Sequence, residues 1–210
     1  RYFNSSNRGK NIRLNIPNVL TVFRILLTPI FIISLFSDYQ FAHPIALAIF
    51  LIACITDTYD GYYARKYNQV TPEGKFLDPL ADKILVSSAF ISFAFIGMIE
   101  FWMVGLILFR DLFVTGLRMA VEHKGLSMVT SMIAKAKTTV QYIIIMFILI
   151  VMGLKGLSVS WTAPMIELVD QYRMIYNLTF FISLFTVLTG ITYLYDNRDT
   201  IQHFLNENGS

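Results

Sequence analysis

Cysteine is almost absent from this chain of 210 residues, where Cys54 stands alone. A single thiol excludes an intramolecular disulfide framework and a cysteine-based zinc site. Charge is scarce too: charged residues make up 15%, against about 25% in a typical soluble domain. Gly 11 and Pro 6 are too few for a collagen-like or low-complexity chain. A net charge of +3 does not suit a nucleic-acid reader with a mostly basic surface. What abounds is apolar. The chain is 55% hydrophobic, with Phe 18 and Met 9, and its mean hydropathy of +0.57 excludes intrinsic disorder. In so oily a chain the 14 acidic residues belong at membrane edges, unless something polar is held inside.

Crossing a hydrocarbon core of ~30 Å takes roughly 20 apolar residues. Six stretches qualify, at about 19–37, 44–66, 77–98, 101–121, 137–154 and 174–195, the fifth with a possible earlier start at Met132. No period repeats, and no room remains for a separate soluble domain. The sequence therefore predicts an all-α integral membrane protein of six transmembrane helices. Its single domain covers residues 11–198, with tails at 1–10 and 199–210. Residues 1–10 hold too little apolar content for a signal peptide.

Lysine and arginine set orientation. With the N-terminus inside, inner segments hold Arg1, Arg8, Lys10, Arg13, Arg65, Lys66, Lys75, Lys124, Lys135, Lys137 and Arg198. Outer segments hold only Lys155 and Arg173. The expectation is a multi-pass protein with both termini cytoplasmic, in a bacterial cell membrane. The link 155–172, with Trp161, Pro164, Glu167 and Asp170, reads as an outer connection without legible chemistry.

Two readings stand for residues 11–23, which mix Ile12, Leu14, Ile16, Val19 and Leu20 with Arg13, Asn15 and Asn18. One is an N-terminal interfacial helix lying on the inner surface. The other is simply the entry to the first span, with Pro17 in its first turn. Arg24, a charge inside an apolar stretch, is expected to snorkel to the interface or to reach an anionic headgroup.

Residues 57–82 read DTYDGYYARKYNQVTPEGKFLDPLAD. Asp57 and Asp60 are three apart, Asp78 and Asp82 four apart, so on helices each pair shares a face. Asp57 lies 13 residues beyond Pro44, or ~20 Å along a helix, near the inner edge of the core. A short link containing Glu73 would return the next helix antiparallel and bring the second pair opposite the first. Four facing carboxylates repel one another unless protons or divalent metal reduce their charge. All-oxygen ligation suits Mg2+ or Mn2+, and four carboxylates balance two such ions, which could clamp a phosphoryl group. Gly61, Ala64 and Gly74 would leave a groove beside these acids, and Arg65 is placed to meet a phosphate. Cys54, one turn before Asp57, reads as packing.

The pattern Asp57-xx-Asp60-Gly61-xx-Ala64-Arg65, eight residues, Gly74-xxx-Asp78-xxx-Asp82 resembles the full signature of the CDP-alcohol phosphotransferases. The resemblance implies that family's six-span helical fold, a homodimer, and transfer of a phosphatidyl group from a CDP-linked lipid to an alcohol with release of CMP. It implies that Asp57, Asp60, Asp78 and Asp82 bind two divalent metals and that Asp82 is the general base. Gly61, Ala64, Arg65 and Gly74 would then line the CDP-lipid pocket.

The acceptor is read from elsewhere. Arg110 and Arg118 stand eight apart in the fourth stretch, expected on roughly one face, and Lys135 and Lys137 open the fifth. Cations gathered at the inner edge suit an acceptor that is itself a phosphate, with Arg118 the leading ligand. Asp111 would form an internal salt bridge with Arg110, or Arg110 would touch substrate. Arg110-Asp111-xx-Val114-Thr115-Gly116-Leu117-Arg118 and Lys135-x-Lys137-Thr138-xx-Gln141 are similar to the phosphatidylglycerophosphate synthases. So are Asn15-Ile16-Pro17-Asn18-xx-Thr21-xx-Arg24 and residues 74–83. The chain departs from that group at Asp111, commonly Glu there, and at Ala134, commonly Gly. This likeness implies CDP-diacylglycerol as donor and glycerol 3-phosphate as acceptor. Cardiolipin synthase and inositol-phosphate transferase are the neighbouring alternatives, and a cation or proton transporter is the reading from another class. Membrane lipids, and no nucleic acid, are the expected surroundings.

Overall fold

The computed structural model describes residues 16–66, 72–129, 132–157 and 160–208. Among the described residues the chain is helical, without strands. Its helices are α1 (Ile16–Leu35), α2 (Ala42–Lys66), α3 (Pro72–Phe95), α4 (Phe101–His123) and α5 (Met132–Leu157). After a 3-10 turn at Ser160–Thr162 come α6 (Ala163–Gln171), α7 (Met174–Asp196) and α8 (Arg198–Asn208).

The six long helices follow the six apolar stretches. Among the described residues, Ala136–Leu157 and Met174–Asp196 are long and apolar enough, by length and composition, to cross a membrane. Val19–Leu35 and Ala42–Asp57 are shorter apolar stretches. Helix α3 carries Asp82 and Lys83, and α4 carries Arg110, Asp111 and Arg118, well inside otherwise apolar helices.

The core follows from helical spacing. Leu27, Phe31 and Leu35 of α1, Ala46, Phe50 and Ala53 of α2, and Leu85, Ala89 and Phe93 of α3 recur every three or four residues and are buried. Ile144, Ile145, Ile148 and Leu149 of α5, Val104 and Ile107 of α4, and Ile175 and Ile182 of α7 join them. The alanines let neighbouring backbones approach closely, as small residues do between membrane helices. Helix α1 packs against both α2 and α3, α5 against α2, α3 and α7, and α4 against α3 and α7. Large apolar side chains such as Leu26, Ile33, Phe109 and Phe181 face outward, as expected where lipid replaces water.

Gly97 follows α3 and Gly125 follows α4. Gly97 and Gly125 adopt φ of +81° and +79°, the left-handed conformation that closes a Schellman motif. Met98 N–H bonds the Phe93 carbonyl at 3.0 Å after α3, and Leu126 N–H bonds the Val121 carbonyl at 3.3 Å after α4.

Several boundaries differ from expectation. Residues 16–23 are the first turns of α1, continuous through Leu35 and with Pro17 in the opening turn, not a separate interfacial helix; residues 11–15 lie outside the described residues. Helix α3 begins at Pro72, so Glu73 is helical and not part of a link. The link 155–172 contains the 3-10 turn and α6. The stretch read as a C-terminal tail forms α8, whose Ile201 and Phe204 pack against a small cluster of Val121, Met128 and Tyr193.

Candidate functional site

Charged side chains converge at the end of the bundle where α2 finishes and α3 begins. Arg24 of α1 is fully buried, and its Nη1 lies 2.7 Å from a carboxylate oxygen of Asp57, whose side chain stays 36% exposed. The expectation of an arginine snorkelling to the interface or to a headgroup is therefore corrected. A buried guanidinium needs a nearby anion more than it needs water at a distance, and the first aspartate of the signature supplies it.

Asp82 of α3 accepts a hydrogen bond from the Tyr142 hydroxyl of α5, and Lys83 Nζ lies 3.6 Å from its other oxygen. The Tyr142 ring leans on Phe50 of α2 with centroids 5.9 Å apart. Asp57 and Asp82 both act electrostatically on the Tyr142 hydroxyl and the Cys54 thiol, so the two carboxylates share one neighbourhood. Asp60, Gly61, Ala64 and Arg65 lie along α2, and Gly74 and Asp78 along α3; their side chains lie outside the described residues. Among the described residues no group of three or more His, Cys, Asp or Glu gathers around a common point. Asp57 and Asp82 are nonetheless the hard oxygen donors that Mg2+ or Mn2+ favours, and their chemistry fits the expected pair of cations.

A second cluster centres on Asp111 of α4, buried with its side chain 3% exposed. Its Oδ1 accepts from the Lys137 ammonium and from Arg110 Nη1 at 3.2 Å. Its Oδ2 accepts from Gln141 Nε2 at 3.1 Å, with Lys83 Nζ 3.8 Å away. Lys83 therefore stands between Asp82 and Asp111, and joins the two clusters. The internal salt bridge expected between Arg110 and Asp111 is observed, and it is wider than a pair. Arg110 Nε and Nη2 are buried without a hydrogen-bond partner among the described residues, as are Gln141 Oε1 and the Thr186 hydroxyl of α7.

Arg118 lies apart from these groups. Its side chain is 43% exposed, and its Nε donates to Glu122 at 2.8 Å, one turn along. Eight residues at 1.5 Å each set it about 12 Å along α4 from Arg110, beyond the buried cluster. The Lys135 side chain lies outside the described residues. Sequence reasoning assigned no role to Lys83, Gln141 or Tyr142. One signal was present for Lys83, since a lysine followed by Ile84, Leu85 and Val86 inside a helix demands a partner. No comparable signal marks Tyr142, a tyrosine in an apolar run.

The family described as CDP-alcohol phosphatidyltransferase matches residues 14–191 of this chain. A probable phosphatidylglycerophosphate synthase of Mycobacterium tuberculosis (strain ATCC 25618 / H37Rv) is 38% identical over 183 residues, covering 86% of this chain and 80% of that protein. A CDP-diacylglycerol--glycerol-3-phosphate 3-phosphatidyltransferase of Bacillus subtilis (strain 168) is 41% identical over 148 residues, 65% of this chain and 77% of that one. The protein of the same description from Rickettsia bellii (strain RML369-C) is 35% identical over 181 residues, 85% and 93% respectively.

Proposed function

The chain belongs to the CDP-alcohol phosphatidyltransferase family, and from that premise we propose that it transfers the phosphatidyl group of CDP-diacylglycerol to glycerol 3-phosphate. The products are phosphatidylglycerol phosphate and CMP. The observation that carries this reading is the position of Lys83. Its ammonium lies 3.6 Å from Asp82 and 3.8 Å from Asp111, so the signature carboxylates adjoin a buried cation cluster. A donor whose CMP departs as an anion and an acceptor that arrives as one need such neighbouring fields.

In the reaction a glycerol 3-phosphate hydroxyl attacks the lipid-side phosphorus of the pyrophosphate, and the bond to CMP breaks. Asp82 takes the hydroxyl proton, as a carboxylate within reach can. Tyr142 holds one oxygen of Asp82 and so fixes the direction of the other. Asp57, Asp60, Asp78 and Asp82 would hold two divalent cations, Mg2+ or Mn2+, which when bound supply positive charge to the pyrophosphate oxygens. Gly61, Ala64, Arg65 and Gly74 line the CDP-lipid pocket. Arg110, Lys137, Lys135 and Arg118 hold the acceptor phosphate. The partnerless Nε and Nη2 of Arg110 support this assignment, because a buried donor without an acceptor costs about 1–3 kcal/mol and phosphate oxygens would satisfy both.

The same reading makes the single domain of residues 11–198 a six-span homodimer of the bacterial cell membrane, with both termini cytoplasmic. The lysine and arginine asymmetry supports that orientation. The test is CMP release from CDP-diacylglycerol in detergent, with glycerol 3-phosphate, phosphatidylglycerol or inositol phosphate as acceptor. Release only with glycerol 3-phosphate is expected. Release with another acceptor alone moves the chain to a sister activity, and no release with any acceptor defeats the enzyme reading.

A further inference from the structure

We infer that Gly190 of α7 is a positioning residue for the acceptor site: its missing side chain forms the groove that directs the Arg110 guanidinium to Asp111. The inference rests on the reading of Arg110 as a ligand of the acceptor phosphate. Glycine inside a helix costs about 1 kcal/mol relative to alanine, so a buried glycine in the 23-residue α7 calls for a packing reason. A Cβ at position 190 would stand 2.9 Å from Arg110 Cγ, 3.4 Å from its Nε and 3.7 Å from its Cδ. The arginine stem occupies the space a side chain would fill. Other helical glycines differ. A Cβ on Gly105 or Gly116 of α4 would meet nothing within 4 Å, and one on Gly153 of α5 would meet Pro44 at an ordinary 3.8 Å.

The contact atom matters more than the distance. Cγ is fixed by the first side-chain torsion, so it cannot yield by a small motion at a flexible tip. It moves by leaving its staggered well, and that swings the whole guanidinium away from Asp111. Arg110 has little other freedom, being 11% exposed and packed where α4 meets α7. The same helix presents Thr186, buried and one turn before Gly190, with a hydroxyl that has no partner among the described residues. Helix α7 thus contributes shape to a site whose charges come from α3, α4 and α5.

The experiment uses the full chain in detergent with Gly190→Ala, Arg110→Ala and the double variant, reading kcat and the KM for each substrate. Gly190→Ala is expected to raise the KM for glycerol 3-phosphate on the order of ten-fold, as for one weakened charge-assisted hydrogen bond. The KM for CDP-diacylglycerol stays within about two-fold, and in the Arg110→Ala background Gly190→Ala adds less than about two-fold. An unchanged KM for glycerol 3-phosphate in Gly190→Ala, or an effect undiminished without Arg110, overturns the proposal. If Gly190→Ala alone fails to fold, the double variant decides: removing the arginine stem restores a folded protein on this proposal, and continued misfolding overturns it. Arg110→Ala separates the two readings. A normal KM for glycerol 3-phosphate there defeats the acceptor-site assignment, whereas a raised one beside a silent Gly190→Ala defeats only the role of Gly190.

Discussion

The hydroxyl of Tyr142 on α5 donates a hydrogen bond to the carboxylate of Asp82 on α3, across 60 residues of sequence. The phenol and the last aspartate of the signature therefore form one unit, backed by the ring of Phe50. A carboxylate with one oxygen held by a neutral donor is fixed in orientation yet keeps a second oxygen for chemistry.

Tyr142→Phe keeps the ring against Phe50 and removes only that donor. The expected result is a kcat lowered about ten-fold or more, since a base that turns freely loses alignment. Stability falls by about 1 kcal/mol, the net worth of one hydrogen bond, visible as a small drop in Tm. Steady-state rates equal to wild type would separate Tyr142 from turnover.

Asp82→Asn removes the proposed base while preserving shape. Turnover is expected to fall by about 10²–10⁴, the usual range for general-base loss, with CDP binding still measurable by calorimetry. Residual activity near wild type would move the base elsewhere.

Asp111→Ala leaves the buried Lys137 ammonium and the Arg110 guanidinium without their shared anion. The expected loss is about 3–5 kcal/mol of stability, as when one member of a buried pair is removed. The double variant Asp111→Ala/Lys137→Met should lose less than the two single changes added together. Thermal unfolding in one detergent measures all three, and strict additivity would show that the pair is not coupled.

Arg118 and Glu122 allow a milder test. An exposed i,i+4 pair contributes only ~0.3–0.5 kcal/mol, so Arg118→Ala should leave Tm nearly unchanged. If Arg118 turns from Glu122 to the acceptor phosphate, its removal raises the KM for glycerol 3-phosphate and spares that for CDP-diacylglycerol. Glu122→Gln, which frees the guanidinium, should lower the first KM or leave it unchanged. Equal effects of Arg118→Ala on both substrates would exclude a dedicated acceptor role.

Metal removal completes the set. Treatment with EDTA should abolish CMP release, and added Mg2+ or Mn2+ should restore it. Full activity after exhaustive chelation would rule out the divalent pair.

The helices were legible because apolar runs of about 20 residues leave little choice of structure, and the observed ends lie within about five residues of those read from composition. The Asp57 to Asp82 pattern was legible because its spacing is local to two helices. What one helix does to another was not. Arg24 finds Asp57, Tyr142 finds Asp82 and Gly190 receives Arg110 only through helix packing, and no periodicity encodes which face meets which neighbour. Arg118 shows the converse. Spacing alone grouped it with Arg110, but the rise of two helical turns carries it beyond the buried cluster, where it pairs with Glu122.

Asn197 is buried where α7 passes into α8. Its side-chain oxygen accepts from Val129 N–H at 2.8 Å, while its amide donates to the carbonyls of Tyr193 at 2.9 Å and Val129 at 3.1 Å. The stretch before α5 is thereby pinned to the start of the last helix, and Phe204 presses on the same patch under the ammonium of Lys124. Helix α8 works as a clasp: it cannot lift from the bundle without straining the stretch through Met128 and Val129.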